Sequence, residues 1–243
     1  MLIINADDWG RSVLETDAAL RCCKAGRIIS VSAMVFMSDS KRAAALATAN
    51  KLEVGLHLNF TEPFTDGNCP KNLRHCQNRI ISFLTRNKYA QIVYNPWLRS
   101  QFAYSYSAQA EEFERLFGRT PSHLDGHHHM HLCANLLFSD LLPPGMRIRR
   151  NFSFWPGEKG RANRAYRALI DRWLARKYRL ADYFFDLTQC IEQNKLGRVT
   201  SLAKNSNVEL MTHPIVEREA EYLMSDEFPV IVRGLNVGGY ELV

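Results

Sequence analysis

The stretch LIINADDWGRSVLETDAALRCCKAGRIISVSAMVFMSDSKRAAALATANKLEVGLHLNF, residues 2–60, decides the fold class. Its first run, LIIN at 2–5, is short and apolar and is closed by Asp7, Asp8 and Gly10, as expected of a buried strand running into a loop. Ser12 with Glu15 three residues on forms a capping-box pattern, and Leu14, Ala18, Ala19 and Cys22 follow at helical spacing until Gly26. A second apolar run at 28–37, an alanine-rich helix near 41–50 and a third strand over 54–60 complete the stretch. Strand, helix, strand, helix, strand is the order of a parallel sheet covered by helices, because parallel neighbours need a crossover between them.

Past residue 60 that order breaks. Residues 61–104 mix Pro63, Gly67 and Pro70 with Asn, Arg and aromatics, and read as an insertion with one or two helices. The alternation resumes with a helix at 108–118, the segment HLDGHHHMHL at 123–132, a helix near 133–141, a strand at 146–150 and a basic helix at about 161–177. Strands at 183–187 and 208–212 and a terminal helix plus strand follow. The expected class is α/β, a distorted or incomplete (β/α) barrel with mostly parallel strands, preferred over an open doubly wound sheet. One domain is expected over 1–243, with the insertion at about 61–104 covering the C-terminal face of the sheet.

With 243 residues, 46% hydrophobic and 23% charged, the chain is neither a disordered tail nor a disulfide-stapled mini-protein. Thirty-one Lys and Arg against 25 Asp and Glu give a net charge of +6, too dilute for a dedicated nucleic-acid binder, so no nucleic acid is expected as partner. The opening MLIINADDWG has no positive segment ahead of an apolar one, which makes cytoplasm the expected compartment. There the six cysteines, none in a CxxC pair, should be free thiols, a Cys69–Cys76 disulfide being the alternative for an exported protein.

Chemistry concentrates at strand ends: Asp7 and Asp8, His57, the run His123, Asp125, His127, His128, His129, His131, and His213. In a barrel of parallel strands these ends converge on one face. Adjacent carboxylates repel unless a cation neutralises them, so a divalent metal on one would leave the other free as a base; the plain alternative is a helix-capping Asp in a loop. His57 alternates with Val54, Leu56 and Leu58 and lies on the face opposite them, as a metal ligand or as a satisfied core histidine. Five of the eight histidines fall within 123–131, more than packing explains. If that run is extended, His123, Asp125, His127, His129 and His131 share one side; one or two would bind metal and the rest would orient ligands or touch substrate.

ADDWG at 6–10, VGLHLNFTEP at 54–63, HLDGHHHMH at 123–131 and MTHP at 211–214 resemble, in order and spacing, the motifs of the YdjC-like carbohydrate deacetylases, which include the chitooligosaccharide deacetylases. The resemblance covers nearly the whole chain and implies a distorted (β/α) barrel holding one divalent metal through Asp8, His57 and His127. Zn or Mg is the expected ion, with Co, Ni or Mn as alternatives. It implies Asp7 as catalytic base and His213 as the residue that protonates the leaving group, acting on an N-acetylated sugar. Asp125 would fix the tautomer of His127 or a neighbouring imidazole, and His123, His129 and His131 would support ligands or contact substrate. Gly126, where many relatives carry Ser, should alter only local hydrogen bonding. A two-histidine, one-carboxylate iron oxygenase and a catalytically silent carbohydrate- or metal-binding protein are the rival readings.

Two features remain. Residues 147–179 carry 11 Lys or Arg against Glu158 and Asp171. They read either as a barrel helix with a solvated basic face or as a dock for an anionic membrane or a phosphate-bearing substrate. Phe83, Tyr89, Tyr94, Trp97, Phe102 and Tyr104 of the insertion read as the core of a covering subdomain, with stacking on sugar rings as the alternative. A homodimer is left open.

Overall fold

Six strands carry the sheet, and the computed structural model describes residues 1–243 throughout. The elements, in chain order, are β1 (Leu2–Trp9), α1 (Val13–Lys24), β2 (Ser30–Ala33), α2 (Ser40–Ala49), β3 (Glu53–Leu58), α3 (Lys71–Leu84), α4 (Arg99–Phe117), β4 (Leu124–Gly126) and α5 (Ala134–Leu137). They continue with α6 (Arg161–Leu174), β5 (Tyr183–Asp186), α7 (Leu187–Glu192), α8 (Leu196–Ala203), β6 (Val208–Thr212), α9 (Glu217–Met224) and α10 (Glu227–Ile231). Hydrogen-bonded neighbours run β4-β3-β2-β1-β6-β5. This is the α/β class of the incomplete (β/α)-barrel type, with six strands where a full barrel has eight.

The chain divides into two compact units. The first comprises Met1–Ala6, Ala18–Ser30 and Pro144–Val243. Here β1 pairs parallel with β6 from Leu2↔Val208 to Ala6↔Thr212, and β5 with β6 from Tyr183↔Val208 to Asp186↔Met211. Leu2, Ile3 and Ile4 are buried, as the apolar run requires, and Arg149 and Glu209 form an ion pair at 2.7 Å with both side chains at 0% exposure. The second unit comprises Asp7–Asp17 and Val31–Pro143. In it β3 and β4 pair parallel through Leu56↔Leu124, His57↔Asp125 and Leu58↔Gly126.

The segment 61–104 supplies α3 and the start of α4, and their buried amides reach the loop after β3. Gln77 and Gln109 both donate to the Asn59 carbonyl, at 3.0 and 3.1 Å, while the Gln109 side-chain oxygen accepts from the Asn59 N–H at 2.8 Å. Asn59 in turn accepts from the N–H groups of Thr61 and Glu62. That Asx-turn fixes the direction in which Glu62 leaves the strand.

Several expectations need correction. The run 123–131 is not extended: β4 stops at Gly126, and His128 and His129 take left-handed φ of 52° and 59°, which ends the two-residue alternation. Residues 146–150 form no strand, because Arg147 meets Arg179 in a single bridge and Arg149 is drawn into its pair with Glu209. No terminal strand forms either; Val237 bridges Leu2 and the chain finishes in a 3-10 turn at Tyr240–Leu242. The insertion aromatics are not one core, since Phe102 is buried against Phe60 at 5.1 Å but Tyr89, Tyr94, Trp97 and Tyr104 are exposed. All six cysteines are free thiols, and no helix is long and apolar enough to cross a membrane.

Candidate metal centre

In a regular strand Asp7 and Asp8 would face opposite sides of the sheet. Asp8 instead has φ of +62°, a left-handed conformation that Asp tolerates better than most residues. Both carboxylates therefore approach the same imidazole nitrogen: His57 Nε2 lies 3.4 Å from Asp8 Oδ1 and 4.0 Å from Asp7 Oδ2. The turn is held beyond the acids, where Trp9 is fully buried and donates its indole N–H to the Ala43 carbonyl at 3.0 Å. Gly10, at φ +87°, leaves no room for a side chain, because a Cβ would sit 3.1 Å from the Met34 carbonyl oxygen.

His57 enters from β3 and is oriented by its β4 neighbour in register. Its Nδ1 is 2.8 Å from Asp125 Oδ1, and Asp125 Oδ2 accepts from the Ser32 hydroxyl at 2.7 Å. Ser32 Oγ is also 3.0 Å from His123 Nε2, and His123 Nδ1 is 3.0 Å from Ser122 Oγ. Proton counting then assigns each donor. The Ser32 proton goes to Asp125, so His123 Nε2–H donates to Ser32, and His57 Nδ1–H donates to Asp125. That leaves Nε2 as the His57 nitrogen that faces Asp8. Gly55 makes the chain fit: a Cβ there would meet the His123 ring at 2.3 Å.

His127 completes the group from the other side. Its Nδ1 is 2.9 Å from Asp8 Oδ1 and its ring lies edge-on to His57, with centroids 5.6 Å apart. Asp8 Oδ1 and His127 Nε2 are nonetheless buried without a hydrogen-bond partner. Ligand atoms of Asp8, His57 and His127 fall within 4.8 Å of one another. Two imidazoles and one carboxylate suit a divalent first-row ion, and buried polar atoms without a hydrogen-bond partner, such as Asp8 Oδ1, are what such an ion would satisfy. The residues fit a metal.

The charges agree with that reading. Burial works to raise the Asp8 carboxyl, yet the His127 and His57 imidazoles hold it far below the usual carboxylate range. Burial works to lower His57, but Asp125 and Asp7 outweigh it and push the imidazole up to about 10. The cluster holds a surplus of negative charge that asks for a cation, whether a proton or a metal. His128, its ring tilted against that of His127 with centroids 4.0 Å apart, is lowered by burial and by the charge of His127.

Three participants carried no advance signal. Glu62 Oε1 is 3.1 Å from His127 Nε2, and Arg11 grips the same carboxylate through Nε at 3.0 Å and Nη2 at 2.7 Å. Arg11 also lies 3.6 Å from Asp8 Oδ2. Glu62 stands inside VGLHLNFTEP and Arg11 directly after ADDWG, so adjacency to the motifs was the available clue. Ser32 sits in an apolar run that hides it.

Asp7, Asp8, His57, Asp125 and His127 thus lie together in the second unit, and His123 supports them through Ser32. His129 and His131 face each other at 6.4 Å and join none of the ligand-sized groups. Gly126 does more than adjust hydrogen bonding, because a Cβ there would come 2.8 Å from the His131 backbone nitrogen. His213 belongs to the first unit, clustered with Asp186 and Glu219, whose carboxylate accepts from the His213 N–H.

A family model described as YdjC-like protein matches residues 1–233. The chain is 28% identical over 251 residues to a carbohydrate deacetylase of Mus musculus, covering 88% of this chain and 77% of that one. It is 30% identical over 139 residues to a chitooligosaccharide deacetylase of Klebsiella pneumoniae, covering 56% of this chain and 52% of that one. A solved structure from Enterococcus faecalis V583, named for cellobiose-phosphate cleavage, superposes with a TM-score of 0.68 at 20% identity, over 99% of this chain and 97% of that one.

Proposed function

The chain belongs to the YdjC-like protein family, and from that membership we propose that it is a metal-dependent hydrolase removing an N-acetyl group from an amino-sugar-containing substrate, a chitooligosaccharide or a related sugar conjugate. The observation that carries this reading is the buried cluster of Asp8, His57 and His127 with a second carboxylate, Asp7, beside it. Asp8, His57 and His127 would hold the ion, Zn or Mg by the chemistry of the donor set. When bound, it supplies Lewis acidity toward the acetamide oxygen and toward the attacking water.

Asp7, buried and 4.0 Å from the His57 ring, acts as general base and takes the proton of the attacking water. Asp125 holds His57 in the tautomer that presents Nε2, and Ser32 holds Asp125. Glu62, clamped by Arg11, steadies the His127 ring. From the MTHP motif, His213 is the residue expected to donate a proton to the departing amine, the step on which amide cleavage depends.

The test is acetate release from a panel of chitooligosaccharides and related N-acetylated sugars, with protein loaded with Zn or Mg and with protein stripped by chelator. Release that needs the added ion supports the reading. Tight sugar binding without acetate, or oxygen consumption with ferrous iron and a keto acid, overturns it.

A further inference from the structure

Between α6 and the segment that precedes it lies a cavity of about 530 Å³, built wholly from residues 150–183 and containing none of the residues assigned to hydrolysis. Arg161, Arg164 and Arg167 line one wall, and Phe152, Phe154 and Tyr183 contribute ring surface. The three arginines recur every third residue along α6, so at 1.5 Å rise per residue their Cα atoms span about 9 Å on one side of the helix.

The charge in this cavity is unbalanced. Its single acid, Asp171, is already saturated: Oδ2 accepts from Arg150 at 2.8 and 3.2 Å, and Oδ1 accepts from the Asn151 backbone and side chain at 3.0 and 2.9 Å. Arg150 is spent in that pairing and in donating to the Ala181 carbonyl. Arg167 donates to the neutral Asn163 at 2.9 Å and feels Asp171 through its charge, and its guanidinium lies 5.2 Å from the Phe154 ring centre, where burial outweighs that charge and lowers its proton affinity. Arg161 and Arg164 are exposed, and the ion pair with Asp171 goes to Arg150. Three guanidiniums whose one neighbouring acid is already bonded to Arg150, lining a groove beside aromatic rings, match the recognition of phosphate oxygens by bidentate forks with a ring laid on the aromatic surface. The volume exceeds what a lone inorganic phosphate fills, and the aromatic rings that share the groove with the arginines suit a compound carrying a ring beside its phosphate.

We infer that this cavity is a binding site for a small phosphate-bearing molecule with a ring next to its phosphate, of the nucleoside-diphosphate or sugar-phosphate type, the phosphate oxygens on Arg161, Arg164 and Arg167 and the ring against the aromatic side formed by Phe152, Phe154 and Tyr183.

Titration calorimetry on the full chain tests this with uridine diphosphate, glucose 6-phosphate, inorganic pyrophosphate and vesicles of phosphatidylglycerol. Saturable binding of uridine diphosphate or glucose 6-phosphate is expected, and the tighter of the two identifies the source of the phosphate. R161Q/R164Q should weaken it at least tenfold, and both positions are exposed, so the variant should fold as the parent does. R172Q, an exposed arginine of α6 that does not line the cavity, should leave affinity unchanged. Phe154→Ala should weaken the ring-bearing ligands more than pyrophosphate. Absence of binding at millimolar concentration, equal loss in R172Q, or binding to vesicles alone overturns the inference.

Discussion

Asp7 and Asp8 are neighbours to which the proposed function gives different roles, and the left-handed φ at Asp8 brings both acids to His57 but leaves Asp8 the closer. Asp7→Asn should keep metal and fold while lowering kcat by roughly 10²–10⁴, the range that loss of a general base produces, with KM little changed. Asp8→Ala or His57→Ala should abolish metal binding, read by metal analysis after dialysis. Asp125→Asn should lie between them, with metal affinity lower by roughly 10–100-fold, because it touches His57 and would act through it. The charge on His57 sets a pH dependence. Its proton affinity rises from 6.5 unfolded to about 10 folded, so in metal-free protein its stabilising contribution is complete below 6.5 and disappears as pH climbs through about 10. Thermal melts of stripped protein should show Tm falling across that window, and a bound ion, which replaces the proton, should flatten the fall. A Tm that rises with pH in stripped protein would contradict this charge assignment.

The elements that build the centre were legible in unequal measure. The strands bearing Asp8 and His57 stood out because short apolar runs ended in polar residues, and the motif order pointed to the family. Where the histidine run leaves the extended conformation is not legible, since alternation says nothing about where a strand stops, and the left-handed residues 128 and 129 are not glycines. Ser32 and the Arg11–Glu62 clamp were hidden for another reason: their roles come from partners 93 and 51 residues away in sequence. Glycines on β3 and β4 carry information that spacing alone does not. Gly55→Ala would drive a Cβ into the His123 ring and should cost about 1–3 kcal/mol of stability, as overpacking does, while also weakening metal affinity through the Ser32–Asp125 chain. Chemical denaturation together with a metal titration would check both. Wild-type stability in Gly55→Ala would mean that His123 can move aside freely.

Across the whole molecule, the parallel α/β plan was readable from the order of elements, whereas the basic stretch 147–179 was not, because a run of arginines reads as solvated surface. Arg149 contradicts that: it is fully buried, paired with Glu209 at 2.7 Å and stacked 4.9 Å from the Phe184 ring centre. Removing one partner strands a buried charge, so Arg149→Met should lower stability by about 3–5 kcal/mol, and Arg149→Met with Glu209→Leu should recover much of it. Thermal unfolding of the two variants measures the difference. One further consequence follows from the pairing of His57 with Asp125 across β3 and β4. A one-residue slip between those strands would set Leu124 or Gly126 opposite His57 and strip the imidazole of its anchor. Cation capture would then discriminate among folding products, since a mispaired chain, however collapsed, would be blind to the ion.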